Sequence, residues 1–466
     1  MNIYPYCLLF GVGINLLTAC TVGPDFVKPT FVPGRTYTAP IKKQFGERDL
    51  KLDHVSANWW TSFHSSVLNE MMLQGKKHNY SLTVMRENLA QAREMVKAAK
   101  GQLWPQGNMD AGIGRQKYGA ALFGPIDTSI PAFTYYQIGP SVNYILDVFG
   151  GTRRTIEKQQ AIVDYQQQEL NATYLTVTGN IAEAFLEIAE LNSQLTATQE
   201  IILDDKKNVQ LVRKAFALGA ITQTQVLSAQ SQLTKDETLL PPLYQRLKIV
   251  QSKLSILLGI SPARFKIDAF RLTDITLPKE LPLSIPSKLV HKRPDILAAE
   301  AILHAASADV GIATAQLYPN ITISATAMQE ALIPFNGSSN AWGLIGNLTT
   351  PIFNGGALRA QRRASIHAYQ SAFANYQQIV LNAFGEVHDV LYALLHDEEE
   401  VILQKKAVNT ARNSLKLARI SFNEGNVGVL EILNAERDYA QARLGYVRAQ
   451  AQRYQDTVKL YLALGG

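Results

Sequence analysis

The sequence predicts an α+β chain that follows one plan twice. Three observations carry this. Apolar residues recur every seven positions as Tyr174, Ile181, Ile188, Leu195, Ile202, Val209 and Phe216. The series returns as Val380, Val387, Leu394, Val401, Val408, Leu415 and Phe422, 206 residues later, and Gly219 and Gly425 each follow it by three. Four shorter stretches alternate apolar and polar residues. A seven-residue repeat keeps one helix seam against a partner helix and gives a left-handed supercoil. A two-residue repeat gives strands with one apolar and one polar face.

The chain has 466 residues, 47% of them hydrophobic and 18% charged, which marks it as folded rather than disordered. The net charge of +6 is small and its Lys and Arg are scattered among acids, so nucleic acid is not an expected partner.

The apolar run Tyr6 to Leu17 is too short to span a membrane and suits a signal-peptide core, although Met1 to Pro5 lacks a basic residue. It ends in Leu17-Thr18-Ala19-Cys20, which resembles a bacterial lipobox. Residues 1–19 therefore read as a lipoprotein signal peptide, and Cys20 as the lipidated residue. Cleavage there leaves one cysteine, which cannot form an internal disulfide. Thr21, rather than Asp, follows the cysteine and favours the outer over the inner membrane. No later stretch carries eighteen uninterrupted apolar residues, so no transmembrane helix is expected.

Residues 20–56 are rich in Pro and Gly and read as an extended tether. The first copy of the plan covers 57–264. Asn58-Trp59-Trp60-Thr61-Ser62-Phe63 opens a short helix to about Gln74, with both tryptophans in the core. A helix from Ser81 to Leu103 stops at Pro105. Strands follow: Met109, Ala111 and Ile113 alternate with Asn108, Asp110 and Gly112, and Ile138, Val142 and Tyr144 alternate with Gln137, Ser141 and Asn143. Tyr118 to Thr134 is the loop between them. The proline-free stretch Gly151 to Leu218 is one helix of roughly 100 Å. A second helix after Gly219, ending near Gly259, is broken or bent at Pro241-Pro242.

Residues 265–287, with Pro278, Pro282 and Pro286, read as an exposed linker. The second copy, 288–466, holds a helix from Pro294 to Leu317, a strand from Asn320, a loop over Pro334 and Asn336-Gly337-Ser338-Ser339, a strand with Trp342, Leu344 and Leu348 on one face, and the second long hairpin. Four strands of about ten residues match the height of a membrane barrel wall but cannot close one. They form a small soluble sheet, or several chains share a barrel.

Motifs over the full length resemble a TolC-like outer-membrane factor of the lipoprotein NodT/OprM branch. They are the lipobox with Val22-Gly23-Pro24-Asp25-Phe26; Trp59-Trp60; Gly101-Gln102-Leu103-Trp104-Pro105; Asp147-Val148-Phe149-Gly150; Arg293-Pro294-Asp295-Ile296; Gln316-Leu317-Tyr318-Pro319; and Phe353-Asn354-Gly355-Gly356. The resemblance implies a homotrimer in which four strands per chain build a twelve-stranded outer-membrane β-barrel, continued by a long periplasmic α-helical barrel. It implies an exit duct of a tripartite efflux pump, with a periplasmic membrane-fusion adaptor and an inner-membrane RND-type transporter as partners. It also implies a periplasmic gate of acidic residues early in the helix after each turn. Glu431 holds that position, Asn434 stands where a further acid is often found, and Gln225 matches Glu431 in the first copy. The adaptor contacts fall on the turns, Gly219, Ala220, Ile221 and Thr222, and Gly425, Asn426 and Val427. Both glycines also suit helix C-caps, and Glu431 suits a helix N-terminus.

The expected mechanism is passive conduction without a cofactor beyond the lipid on Cys20. The eight histidines are dispersed, and no His-Glu-x-x-His, Cys-x-x-Cys or phosphate loop occurs, so no enzyme, metal site or nucleotide is expected. A duct for type I protein secretion is one alternative, which the lipobox and the Arg293-Pro294-Asp295 block disfavour. A lipid-anchored coiled-coil scaffold without a pore is the other, disfavoured by the four two-faced strands.

Overall fold

The computed structural model describes residues 21–30, 49–51, 56, 58–117, 131–282, 289–333 and 337–466. Cys20, the signal peptide and the loop residues 118–130 lie outside the described residues. The elements in order are β1 (Asp49–Lys51), α1 (Ser66–His78), α2 (Tyr80–Gly101), β2 (Gln106–Gln116), β3 (Phe133–Leu146), α3 (Gly151–Ala217), α4 (Gln223–Glu237), α5 (Leu240–Leu257), β4 (Glu280–Pro282), α6 (Pro294–Ala315), β5 (Asn320–Ile333), β6 (Gly337–Thr349), α7 (Ala357–Asn423) and α8 (Val429–Ala463).

The internal repeat is recorded in the element bounds. Helices α3 and α7 both have 67 residues and start 206 residues apart. The stretch from the start of α4 to the end of α5 maps onto α8 at the same offset. Within this stretch the difference is a break at Thr238-Leu239. Pro241 and Pro242 lie in the first turn of α5, where no backbone N–H is needed. Val447 and Arg448 stand at the matching positions, and α8 runs unbroken.

The chain forms two compact units that cut across both copies, one of residues 1–30, 88–167 and 298–377 and one of residues 31–87, 168–297 and 378–466. The first unit holds an antiparallel sheet in the order β2-β3-β5-β6. Helix α6 is long and apolar enough to cross a membrane by composition, yet Leu303, Ala305, Ala308 and Val310 are buried within the fold, which makes it a core helix.

The Asp147-Val148-Phe149-Gly150 motif is explained by the strand-to-helix corner. Asp147 caps α3 by accepting the N–H groups of Thr152 and Arg153, both at 2.9 Å. Phe149 stacks on Tyr318 at 4.7 Å, which joins this motif to Gln316-Leu317-Tyr318-Pro319. Gly150 sits at φ +78°, where Thr21 leaves no room for a Cβ.

The tether is docked where it is described. Val22 N–H donates to Phe149 O at 3.2 Å. The buried Arg154 donates to Val22 O, Gly23 O and Asp25. Phe26 stacks on His304 at 4.3 Å, and Lys28 pairs with Glu300 at 2.7 Å.

In the second unit the first helical element is a 3-10 turn, Trp59–Phe63, followed by α1, rather than one helix from Asn58 to Gln74. Ser65 sets the boundary by capping α1. Trp59 stacks on Tyr461 at 5.3 Å and meets Trp60 and Phe63 edge-on. This aromatic group belongs to a core that includes Leu68, Ile181, Phe185, Ile188 and Leu254.

Residues 265–282 correct the exposed-linker expectation, and residues 283–287 lie outside the described residues. Leu272 and Ile275 are buried, and Leu281 is 0% exposed. Phe270 stacks on Phe185 at 4.4 Å, and Tyr454 OH donates to Ile275 O at 2.7 Å. β4 pairs in parallel with β1, Leu50 opposite Leu281. Apolar residues between the prolines give this segment enough burial to pack, which proline content alone hides.

The Arg293-Pro294-Asp295 block ties the start of α6 to α7 and α8. Asp295 holds Arg293 at 2.7 Å, Glu386 holds it at 2.7 Å, and Arg293 donates to Ala463 O at 3.0 Å.

Candidate functional site: sheet faces and helix turns

The register sorts the four strands into two faces. One face carries the pairs Met109 with Pro140 and Ala327 with Trp342, and the full row Gly107, Val142, Ala325 and Leu344. The other carries Asn108, Ser141, Thr326 and Gly343, and Gln106, Asn143, Ser324 and Ile345. Ser324 donates to Asn143 across the polar face at 2.7 Å. The apolar face is exposed in the single chain: Trp342 is 84% exposed, and Met109, Ile138, Leu344 and Leu348 are exposed with it. A contiguous apolar surface of this kind is a contact surface for lipid or protein. The strands are also longer than their sequence pattern suggested. Phe133 and Thr134 pair with Gln116 and Arg115, and Gly337, Ser338 and Ser339 pair with Leu332, Ala331 and Glu330, so these residues are strand rather than loop. Small polar residues carry little periodic signal, and the ladder to an already ordered neighbour decides them.

The helix turns follow the glycines. Gly219 at φ +74° and Gly425 at φ +77° close Schellman motifs: Ala220 N–H reaches Ala215 O at 3.0 Å, and Asn426 N–H reaches Ser421 O at 2.8 Å. A Cβ on either glycine would meet open space, so positive φ rather than close packing requires the residue. Leu218 is 85% exposed at the first turn, and Ala220 and Thr222 are exposed beside it. Ile221 instead packs on Val209, Val212, Val226, Ala229, Val429 and Leu433. In the second turn Gly425 and Asn426 are exposed and Val427 is half-buried.

Gln225 and Glu431 are both the third residue of their helices, α4 and α8. They do different work. Gln225 Oε1 accepts the Thr222 N–H at 2.9 Å, closing the N-terminus of α4. Gly428 precedes α8 without a side-chain cap, and Glu431 is exposed, with Asn434 exposed one turn on. The helix dipole favours a carboxylate at Glu431.

A polar group that the sequence pattern did not single out lies among the four hairpin helices. Asp205, Asn208, Asp236 and Glu436 are all buried. Glu436 accepts from Asn208 at 2.8 Å and from Arg419 at 3.0 Å. Arg419 also reaches Asp204 at 3.7 Å, and Gln232 donates to Asp236 at 2.8 Å. Burial raises the Glu436 carboxyl, against the opposing pull of Arg419. Burial, then the facing Asp236, push Asp205 up to about 8. The available signal was position: Asp205 stands three residues past Ile202 and four before Val209, where the seam calls for an apolar side chain.

Known proteins match this fold over its full length. The model of the outer membrane efflux protein family matches residues 74–259 and 285–466. The cation efflux system protein CusC of Escherichia coli O6:H1 is 24% identical, over 100% of this chain and 98% of its own. The pyoverdine export outer membrane protein OpmQ of Pseudomonas putida is 27% identical, over 88% of this chain and 87% of its own. The solved structure of the outer-membrane channel OprN superposes with a TM-score of 0.87 and 25% identity, covering 96% of this chain and 99% of that one. With a two-faced sheet, duplicated long hairpins and a family match on both copies, the chain belongs to the outer membrane efflux protein family and is an outer-membrane efflux channel extending into the periplasm.

Proposed function

We propose that three copies of this chain join their four-stranded sheets into one twelve-stranded barrel, and that this duct carries small molecules out of the cell, delivered by a periplasmic adaptor and an inner-membrane RND-type transporter. The observation that carries the proposal is the sheet. It has two open edges, β2 and β6, and an exposed apolar face opposite a polar one. Unpaired edges inside a bilayer leave backbone groups without partners, so such a sheet must close with others. Four strands are too few for a barrel alone. A polar inner face lines water, and an apolar outer face meets lipid. The cation and pyoverdine in the names of two relatives show that one family fold serves unlike cargo. Deleting the gene and testing a panel of growth inhibitors checks the efflux role, and unchanged sensitivity to all of them contradicts it.

Three further assignments belong to this reading. Cys20 carries the lipid anchor, next to a segment that is docked from Val22 onward. The intact mass of the extracted chain should exceed that of the processed polypeptide by its acyl groups, and Cys20→Ser should remove the excess. The turns at Gly219 to Thr222 and Gly425 to Val427 take the adaptor, whose side chains can approach closely where no Cβ intervenes. Glu431 and Asn434 line the mouth, while Gln225 serves chiefly as a cap. Glu431→Ala should lower the preference of the channel for cations over anions in a bilayer recording at low salt. An unchanged reversal potential removes Glu431 from the mouth.

A further inference from the structure

The buried polar group among the hairpin helices has a chemistry that conduction does not use. Asp205 is 4% exposed, and its Oδ2 has no hydrogen-bond partner. Its facing neighbour on α4 is Asp236, another carboxyl. Two buried carboxylates cannot both be charged at contact distance without repulsion, and a hydrogen bond between them requires a proton on one.

Among the described residues, the groups that act most strongly on Asp205 are acids, and the basic side chains beside them have partners of their own. On α3, Asp204 is engaged by Lys207, and Lys206 pairs with Glu237. On α4, Gln232 already serves Asp236. On α7, Arg419 is taken by Glu436 and Asp204. On α8, Glu436 adds a further buried acid, and Arg443 pairs with Glu200. A metal ion is not supported as the ligand either, because among the described residues no three His, Cys, Asp or Glu side chains group to hold one.

We propose that Asp205 and Asp236 form a proton-binding site that stabilises the joint between the two helical hairpins, and that releasing the proton loosens this joint. The joint is the bond from Asn208 on α3 to Glu436 on α8, reinforced by Arg419 on α7. Proton loss places a second negative charge beside Glu436 and Asp204 and competes with Glu436 for Arg419. The sign follows from the raised Asp205 carboxyl. The folded chain holds a proton that the unfolded chain gives up in the ordinary carboxyl range. The stabilisation is complete below that range and is lost as the pH rises to about 8. Both hairpins end within a few helical turns of this site, at Gly219 and Gly425. The effect on conduction rests on reading those turns as the mouth of the duct.

The test uses the purified full-length protein. Infrared difference spectra between about pH 6.5 and 9.5 should show a protonated-carboxyl band that disappears with a midpoint near 8. The band should be absent in Asp205→Asn and Asp236→Asn, either of which supplies a neutral partner in place of the proton. In planar bilayers, wild-type conductance should rise with the same midpoint, and the Asn variants should show no such rise. The site is overturned if no such band titrates or if either variant retains it. A titrating band with pH-independent conductance overturns the link to the mouth. No conductance at any pH contradicts the channel reading, and the infrared band then decides the proton site on its own.

Discussion

Replacing Trp59 with Ala should destabilise the unit that contains it by about 3–5 kcal/mol. Trp59 is 2% exposed, and its ring stacks on Tyr461 while meeting Trp60 and Phe63 edge-on. The substitution removes the indole from between α8 and the 3-10 turn, so the lost transfer free energy adds to the cost of a cavity. Aromatic contacts of this geometry add about 0.5–1.5 kcal/mol beyond burial. The midpoint of denaturant unfolding, followed by circular dichroism, reads the effect. A loss below about 1 kcal/mol means that the aromatic group is peripheral to the core.

The second large effect separates the two faces of the sheet. Leu344→Arg should cost about 2–4 kcal/mol in membrane assembly, because the charge falls on the lipid side of the wall. Asn108→Arg, one row away on the polar face, should be tolerated, since its head group reaches water. The rows are fixed by the register, with Leu344 opposite Ala325 and Asn108 opposite Ser141. The fraction of chain recovered as folded, heat-resistant complex from outer membranes measures both. Equal recovery of the two variants contradicts the assignment of faces.

Much of this architecture is legible in the sequence because it rests on periodicity. The bounds of α3 and α7 follow from the proline-free stretches and the glycines beyond them, since a glycine at positive φ ends a helix wherever the seam stops. Strand existence was legible for the same reason, while strand length was not. Gly337, Ser338 and Ser339 have turn-like composition and are strand only because β5 offers them partners. The segment 265–282 misled in the opposite sense. Its prolines suggested exposure, but Leu272, Ile275 and Leu281 find the core through contacts distant in sequence. The buried carboxyls of Asp205 and Asp236 were illegible as a pair because two helices must meet before either acid has a partner. The tip and gate assignments combine both kinds of information. The structure explains Gly219 and Gly425 by backbone geometry and Gln225 by capping, while Glu431 is left exposed.

The account stands on one claim, that the open four-stranded sheet is a third of a barrel. The mass of the detergent-extracted complex, measured by native mass spectrometry on the same preparation used for bilayer recording, tests it most directly. Three chains per particle with steady ionic conductance is the predicted result; a single chain, or a three-chain particle that passes no current at any voltage or pH, would contradict it.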